Sequence, residues 1–140
     1  MSTKSLFFTL FVMLLTAGYA HAGTPAPEGA RVYIVSPADG EVVNSPFKVV
    51  FGLSGMGVAP AGIDKDNTGH HHLLIDLKDS TAMDKPLPSD NNHRHFGGGQ
   101  TETTLQLPPG KHTLQLIMGD KNHVPHTPPV MSKPITVVVK

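Results

Sequence analysis

Three consecutive histidines, His70, His71 and His72, run directly into the apolar segment Leu73-Leu74-Ile75-Asp76-Leu77. A β-strand turns alternate side chains to opposite faces, so His71, Leu73, Ile75 and Leu77 share one face and His70, His72, Leu74 and Asp76 the other. Imidazoles two residues apart on one strand stand roughly 6.5–7 Å apart at the backbone and can converge on a single ion. His93 and His95 form a second such pair. His123 and His126 form a third, acting from a loop because Pro125 opposes a helix there. His71, on the apolar face, is expected to be packed and hydrogen-bonded in the core instead of serving as a ligand. The candidate ligands are therefore His70, His72, His93, His95, His123 and His126, with Met56 and Met131 as thioether options. Asp120 and Glu102 are candidates to accept the second N–H of a ligating ring from outside the ligand set, each with the plainer alternative of a turn or surface role. Cysteine is absent from the chain, which excludes disulfides, thiolate ligands and cysteine nucleophiles. Imidazole suits borderline divalent ions, and copper binds tightest in the divalent series. The expected metal is copper, with zinc as the alternative.

Those residues sit in a chain that reads as exported. Residues 1–22 combine a positive charge at Lys4, the apolar run Leu6 to Ala17 and the small-residue end Ala20-His21-Ala22, which is the pattern of a secretory signal peptide. The run is shorter than the ~20 residues of a membrane-spanning helix, so no membrane association is expected after cleavage. Cleavage after Ala22 leaves Gly23 first, and cleavage after Ala20 leaves His21 first. Eleven acidic residues balance eleven basic ones, so long-range electrostatics favour neither nucleic acid nor an anionic membrane surface. The expected localisation is periplasmic or secreted.

Fourteen glycines and thirteen prolines in 140 residues favour short strands and frequent turns. Residues 23–30 read as a flexible leader and residues 31–140 as one domain. Strands are expected at Arg31 to Val35, at Phe47 to Leu53 with Phe47, Val49, Phe51 and Leu53 facing the core, and from the histidine triplet to Leu77. Thr101 to Leu107 and His112 to Met118 flank the turn Pro108-Pro109-Gly110 and are expected to form a hairpin. Ile135 to Val139 closes the domain. Gly97-Gly98-Gly99 lacks the lysine and following helix of a phosphate loop, and marks a bulge or a close backbone approach. About seven short strands with no helical period predict an all-β, immunoglobulin-like antiparallel β-sandwich. In that topology the candidate histidines gather at one end of the sandwich and His112 falls at the other.

The motifs His-His-His-Leu-Leu-Ile-Asp at 70–76, His-Arg-His-Phe-Gly-Gly-Gly-Gln-Thr-Glu at 93–102, Leu-Pro-Pro-Gly-Lys-His-Thr-Leu at 107–114 and Asp-Lys-Asn-His-Val-Pro-His at 120–126 together resemble a family of small exported bacterial proteins described as a domain of unknown function. The resemblance implies a periplasmic location and no particular activity. Ser36-Pro37-Ala38-Asp39-Gly40-Glu41-Val42 is similar to the first turn of periplasmic copper-resistance sandwiches, which present an N-terminal histidine. Here only His21, after cleavage at Ala20, can match it.

The function that follows is a periplasmic carrier or buffer of copper or zinc, with the metal ion as its first partner and a periplasmic protein that receives the ion as a second. Two alternatives come from other classes. One is a metalloenzyme, superoxide dismutase-like or cupin-like, the latter using His70, His72, Asp76 and His112. The other is a pH-responsive cell-envelope binding module that holds no metal, since unperturbed imidazoles titrate near pH 6.5.

Overall fold

A computed structural model describes residues 23–140; the expected signal peptide lies outside the described residues. Among them there are nine strands and no helix, hence no helix long and apolar enough to cross a membrane. The strands are β1 (Arg31–Ser36), β2 (Val42–Val43), β3 (Phe47–Ser54), β4 (Gly57–Val58), β5 (Thr68–Ile75), β6 (His93–His95), β7 (Glu102–Leu105), β8 (Gly110–Gly119) and β9 (Ile135–Val139). They form two sheets, one ordered β1-β3-β7 and the other β2-β9-β8-β5-β4, with β6 also paired to β5. The fold is the expected all-β, immunoglobulin-like sandwich.

Alternation along the strands explains what lies between the sheets. Phe47, Val49 and Phe51 on β3 are buried against Leu73 and Ile75 on β5, Leu114, Leu116 and Met118 on β8, and Val137 and Val139 on β9. Each large apolar side chain removed from water contributes about 1.5–3 kcal/mol toward offsetting the chain entropy lost on folding. His71 belongs to this inner face, with its ring 5.1 Å from that of Phe51.

Strand β5 is the axis of the larger sheet. One edge pairs antiparallel with β8 from His70↔Gly119 to Ile75↔Leu114. The other edge is shared by β4, which runs parallel to it, and β6, which sets His95 opposite His72 and His93 opposite Leu74. The sheet's outer face carries its own small apolar cluster, in which Leu87 from the 76–92 connection covers Leu74 and Ile117. That connection has no strand, as its prolines and polar residues predict, but it is a packed cover over the sheet.

Two expectations are corrected. The Leu107-Pro108-Pro109-Gly110 turn does not close a hairpin. β7 pairs with β3 in one sheet while β8 pairs with β5 and β9 in the other, so the turn carries the chain across the sandwich. Prolines lacking N–H groups suit such a crossover, where no ladder needs them as donors. The stretch read as a flexible leader is pinned at its start: Ala26 N donates to Thr127 O at 2.9 Å and Thr127 N to Thr24 O at 3.0 Å.

Candidate metal centre

On the outer face of the larger sheet, β5 presents His70 and His72, which are fully buried, and β6 presents His95 beside them. The 120–126 loop folds over this face and brings His123 down from above. One ligand atom from each of His70, His72, His95 and His123 lies within 4.8 Å of those of the other three. His70 Nε2 stands 3.0 Å from His72 Nε2 and 3.1 Å from His123 Nδ1. Nitrogens bound to one ion at about 2.0–2.1 Å are about 3.4 Å apart in a tetrahedron, so the four lie close enough together to converge on one ion.

The contacts around His70 Nε2 have a further chemical meaning. A neutral ring nitrogen has one in-plane valence, occupied either by a hydrogen or by a lone pair. It can satisfy one neighbouring nitrogen by a hydrogen bond, but not two. A cation between the rings accepts a lone pair from each nitrogen and removes the conflict. The two buried rings on β5 are neutral, and so able to offer lone pairs, at neutral pH. Burial, reinforced by the neighbouring His70, His95 and His123, pushes the His72 imidazole down to about 3. Burial, then His123 and His95, lower His70 to about 4 against the opposing pull of Asp120. Burial and then His123 also lower the exposed His95.

Local backbone chemistry fixes the loop that delivers His123. Asp120 Oδ1 accepts hydrogen bonds from Asn122 N at 2.8 Å and Val124 N at 3.0 Å, and Asp120 Oδ2 accepts from Thr24 Oγ1 at 2.7 Å. Burial alone would raise this carboxyl, but those donors outweigh it and hold the group below its ordinary value. His123 sits in the left-handed region at φ 65°, a conformation costly for a non-glycine residue unless its surroundings impose it. Here His123 N donates to Asp120 O, and His123 O accepts from Leu87 N, each at 2.8 Å. Glycines make room for the rings. A β-carbon at Gly119 would lie 2.8 Å from His72 Nε2, and one at Gly97 would lie 2.6 Å from His95 Nε2.

All of these histidines lie within a stretch that is matched by comparison with known families. Residues 49–140, more than half of the chain, match the family described as a domain of unknown function (DUF4399). The chain belongs to that family. The DUF4399 match spans β3 after its first two residues and every later strand, so it covers the whole centre and its cover. No curated protein and no solved structure matches the chain.

The other candidates go elsewhere. His126 is buried, but its ring faces backbone carbonyls, with Nε2 3.2 Å from Thr68 O and Nδ1 3.4 Å from Met118 O. Pro125 pairs with Gly119 as an isolated bridge, so the residue after it is turned into the structure while His123 is left on the outer face. His93 shares a face with His95 but stands opposite Leu74, two residues further along β5, and its Nδ1 contacts Asp90 Oδ1 at 2.9 Å. Glu102 lies on the other sheet, where it is exposed and accepts from Lys48 Nζ at 2.8 Å. Asp120 serves the turn and Thr24, with no bond to a ring. Met56 packs against the sandwich core and Met131 is exposed; neither is among the four convergent groups. His71 is buried as predicted, yet neither ring nitrogen makes a well-formed hydrogen bond, and burial lowers it to about 4 against a small opposing effect of the Gln100 backbone. The residues that sequence reasoning missed are Gly119, Leu87 and Thr24. A glycine directly after a strand was the one available sign.

The cupin-like set is not assembled. His112 Nδ1 lies 2.7 Å from Asp76 Oδ2, and both residues stand beyond the Ile75 end of β5, away from His70. The centre lies on the outer face of the larger sheet, at the end where β5 begins and β8 finishes at Gly119, under the loop that follows.

Proposed function

We propose that this DUF4399 domain is an exported metal-binding protein that captures one transition-metal ion at His70, His72, His95 and His123 and passes it on, with copper as the favoured ion and zinc as the competitor. The observation that carries the reading is the placement of His70 Nε2 against two other ring nitrogens at 3.0 and 3.1 Å, which one cation resolves and no single hydrogen-bond pattern does. An all-imidazole set, with no carboxylate and no thiolate, favours copper(II) by the divalent affinity order and also suits zinc.

Two features support a carrier over an enzyme. Four imidazoles fill a four-coordinate shell, whereas catalytic zinc sites keep one position open for water or substrate. His70 Nδ1 and His72 Nδ1 are buried without a hydrogen-bond partner, so the rings lack the carboxylate or carbonyl that normally anchors a permanent ligand. With His95 exposed on a strand of three residues, one ligand is free to exchange.

The test is a titration of the tag-free mature protein with copper(II) and with zinc, followed by metal analysis and intact mass. One tight equivalent is expected in the parent chain, with loss of that equivalent in the double variant His70→Gln/His72→Gln and retention in His112→Gln. No tight equivalent of either metal in a folded parent chain would end the reading.

A further inference from the structure

A second imidazole on the same sheet face has the outer support that the buried rings of the centre lack. His93 Nδ1 lies 2.9 Å from Asp90 Oδ1, and the same oxygen accepts from Asn92 N at 2.8 Å and His93 N at 2.9 Å. A carboxylate only accepts, so this contact places the ring hydrogen on Nδ1 and leaves the lone pair on Nε2. That is the carboxylate-supported form in which histidine usually binds metal. His112 has the same relation to Asp76, but its Nε2 is taken by Pro108 O at 2.8 Å. Among the described residues His93 has no protein hydrogen bond at Nε2.

His93 also lies where an ion would arrive. It lines a cavity of about 750 Å³ formed by the 76–92 connection, together with Asp76, Asp79, Asp90 and, as counter-charges, Lys78 and Lys85. Opposite charges there leave no strong net field, so an ion would be held by coordination and not by a diffuse negative potential. Two residues along β6 is His95, on the same face and roughly 7 Å away at the backbone. His95 is the exposed member of the centre. From this juxtaposition we infer that His93, oriented by Asp90, is an uptake ligand: a second, weaker position for the same ion on the cavity wall, from which the ion transfers to His95 and into the four-histidine centre. The step is a ligand exchange, in which one metal–imidazole bond forms as another breaks, with no change of oxidation state.

This inference rests on the proposed function, and copper(II) alone, added to the tag-free mature chain, tests the two separately. The parent chain is expected to take one tight and one weaker equivalent, distinguishable as two copper signals by electron paramagnetic resonance. In His93→Gln the weaker signal should vanish, the tight equivalent should remain, and rapid-mixing experiments should show the tight position filling at least about tenfold more slowly. Asp90→Asn should weaken the second equivalent by roughly 10–100-fold, the usual effect of removing an outer partner. If His93→Gln leaves both equivalents and the filling rate unchanged, the inference fails and the four-histidine reading stands. If it abolishes the tight equivalent, His93 belongs to the centre itself and the uptake role fails. A parent chain with only the weak signal overturns the four-histidine reading and removes the destination of the transfer with it.

Discussion

The rings of the centre depend on two residues that have no side chain. A β-carbon at Gly119 would stand 2.8 Å from His72 Nε2 and 3.1 Å from its Cδ2, and Gly119 is not at positive φ. Alanine is therefore acceptable to the backbone, and the strain falls on the ring. Gly119→Ala is expected to fold and to lower copper affinity at least about tenfold, because a ligand displaced by a few tenths of an ångström no longer meets the ion with the others; competition titration against a chelator measures this. His112 gives a residue-scale effect of a different kind. Its Nδ1 and Nε2 face two acceptors, Asp76 Oδ2 at 2.7 Å and Pro108 O at 2.8 Å, so the imidazolium, with two N–H groups, makes both bonds. The Asp76 contact, opposed by burial, raises the group above 6.5. A raised folded value means that the protonated pair stabilises fully below pH 6.5 and that this contribution fades as the pH climbs through the folded value. Because the Asp76 side chain is 39% exposed, the contribution is discounted for screening to about 1 kcal/mol. Urea unfolding of His112→Asn should show its largest deficit near pH 5–6 and a smaller one at pH 8–9; a deficit that grows with pH would contradict the pairing.

At the scale of elements, the 120–126 loop acts as a clamp. Asp120 accepts two loop N–H groups and the Thr24 hydroxyl, and this holds His123 in its left-handed conformation over the sheet. Asp120→Ala leaves those donors without their acceptor and is expected to weaken metal binding roughly 10–100-fold, with faster amide exchange confined to the loop. Asp120→Asn, which keeps one acceptor oxygen, should fall between. Unchanged affinity in Asp120→Ala would mean that the loop holds its shape without the carboxylate. The same elements show what was legible beforehand. Period-two alternation placed His71 inward and His70 and His72 outward, because that depends only on the strand being a strand. Register is not encoded locally. His93 and His95 look equivalent in sequence, and only the pairing of β6 with β5 decides that His95 meets His72 while His93 meets Leu74. The choice between His123 and His126 depended on the Pro125–Gly119 bridge, a contact made after the loop folds. The Pro-Pro-Gly turn misled for a related reason: turn chemistry shows that the chain reverses, not which sheet it rejoins.

At the scale of the molecule, the two faces of one sheet separate stability from chemistry. The inner face, with Leu73, Ile75 and His71, belongs to the sandwich core, while the outer face bears the centre under a cover sealed by Leu74, Leu87 and Ile117. The histidine rings of the centre contribute little to folding when no ion is bound. Their unpartnered nitrogens, His70 Nδ1 and His72 Nδ1, carry a desolvation cost of about 1–3 kcal/mol each. A glutamine at position 72 should therefore leave the metal-free melting temperature within a few degrees of the parent's. Metal binding reverses the balance. A ligand that binds only the folded state at about 100 times its Kd adds about 2.7 kcal/mol, and a domain of this size gains about 4 °C or more per kcal/mol. Copper at that excess should raise the melting temperature of the parent chain by roughly 10 °C, that of His112→Gln by the same amount, and that of His72→Gln by far less. Equal shifts in the parent and in His72→Gln would mean that the ion is held away from the β5 face, because a centre built on that strand cannot lose a ring and keep its linkage to folding.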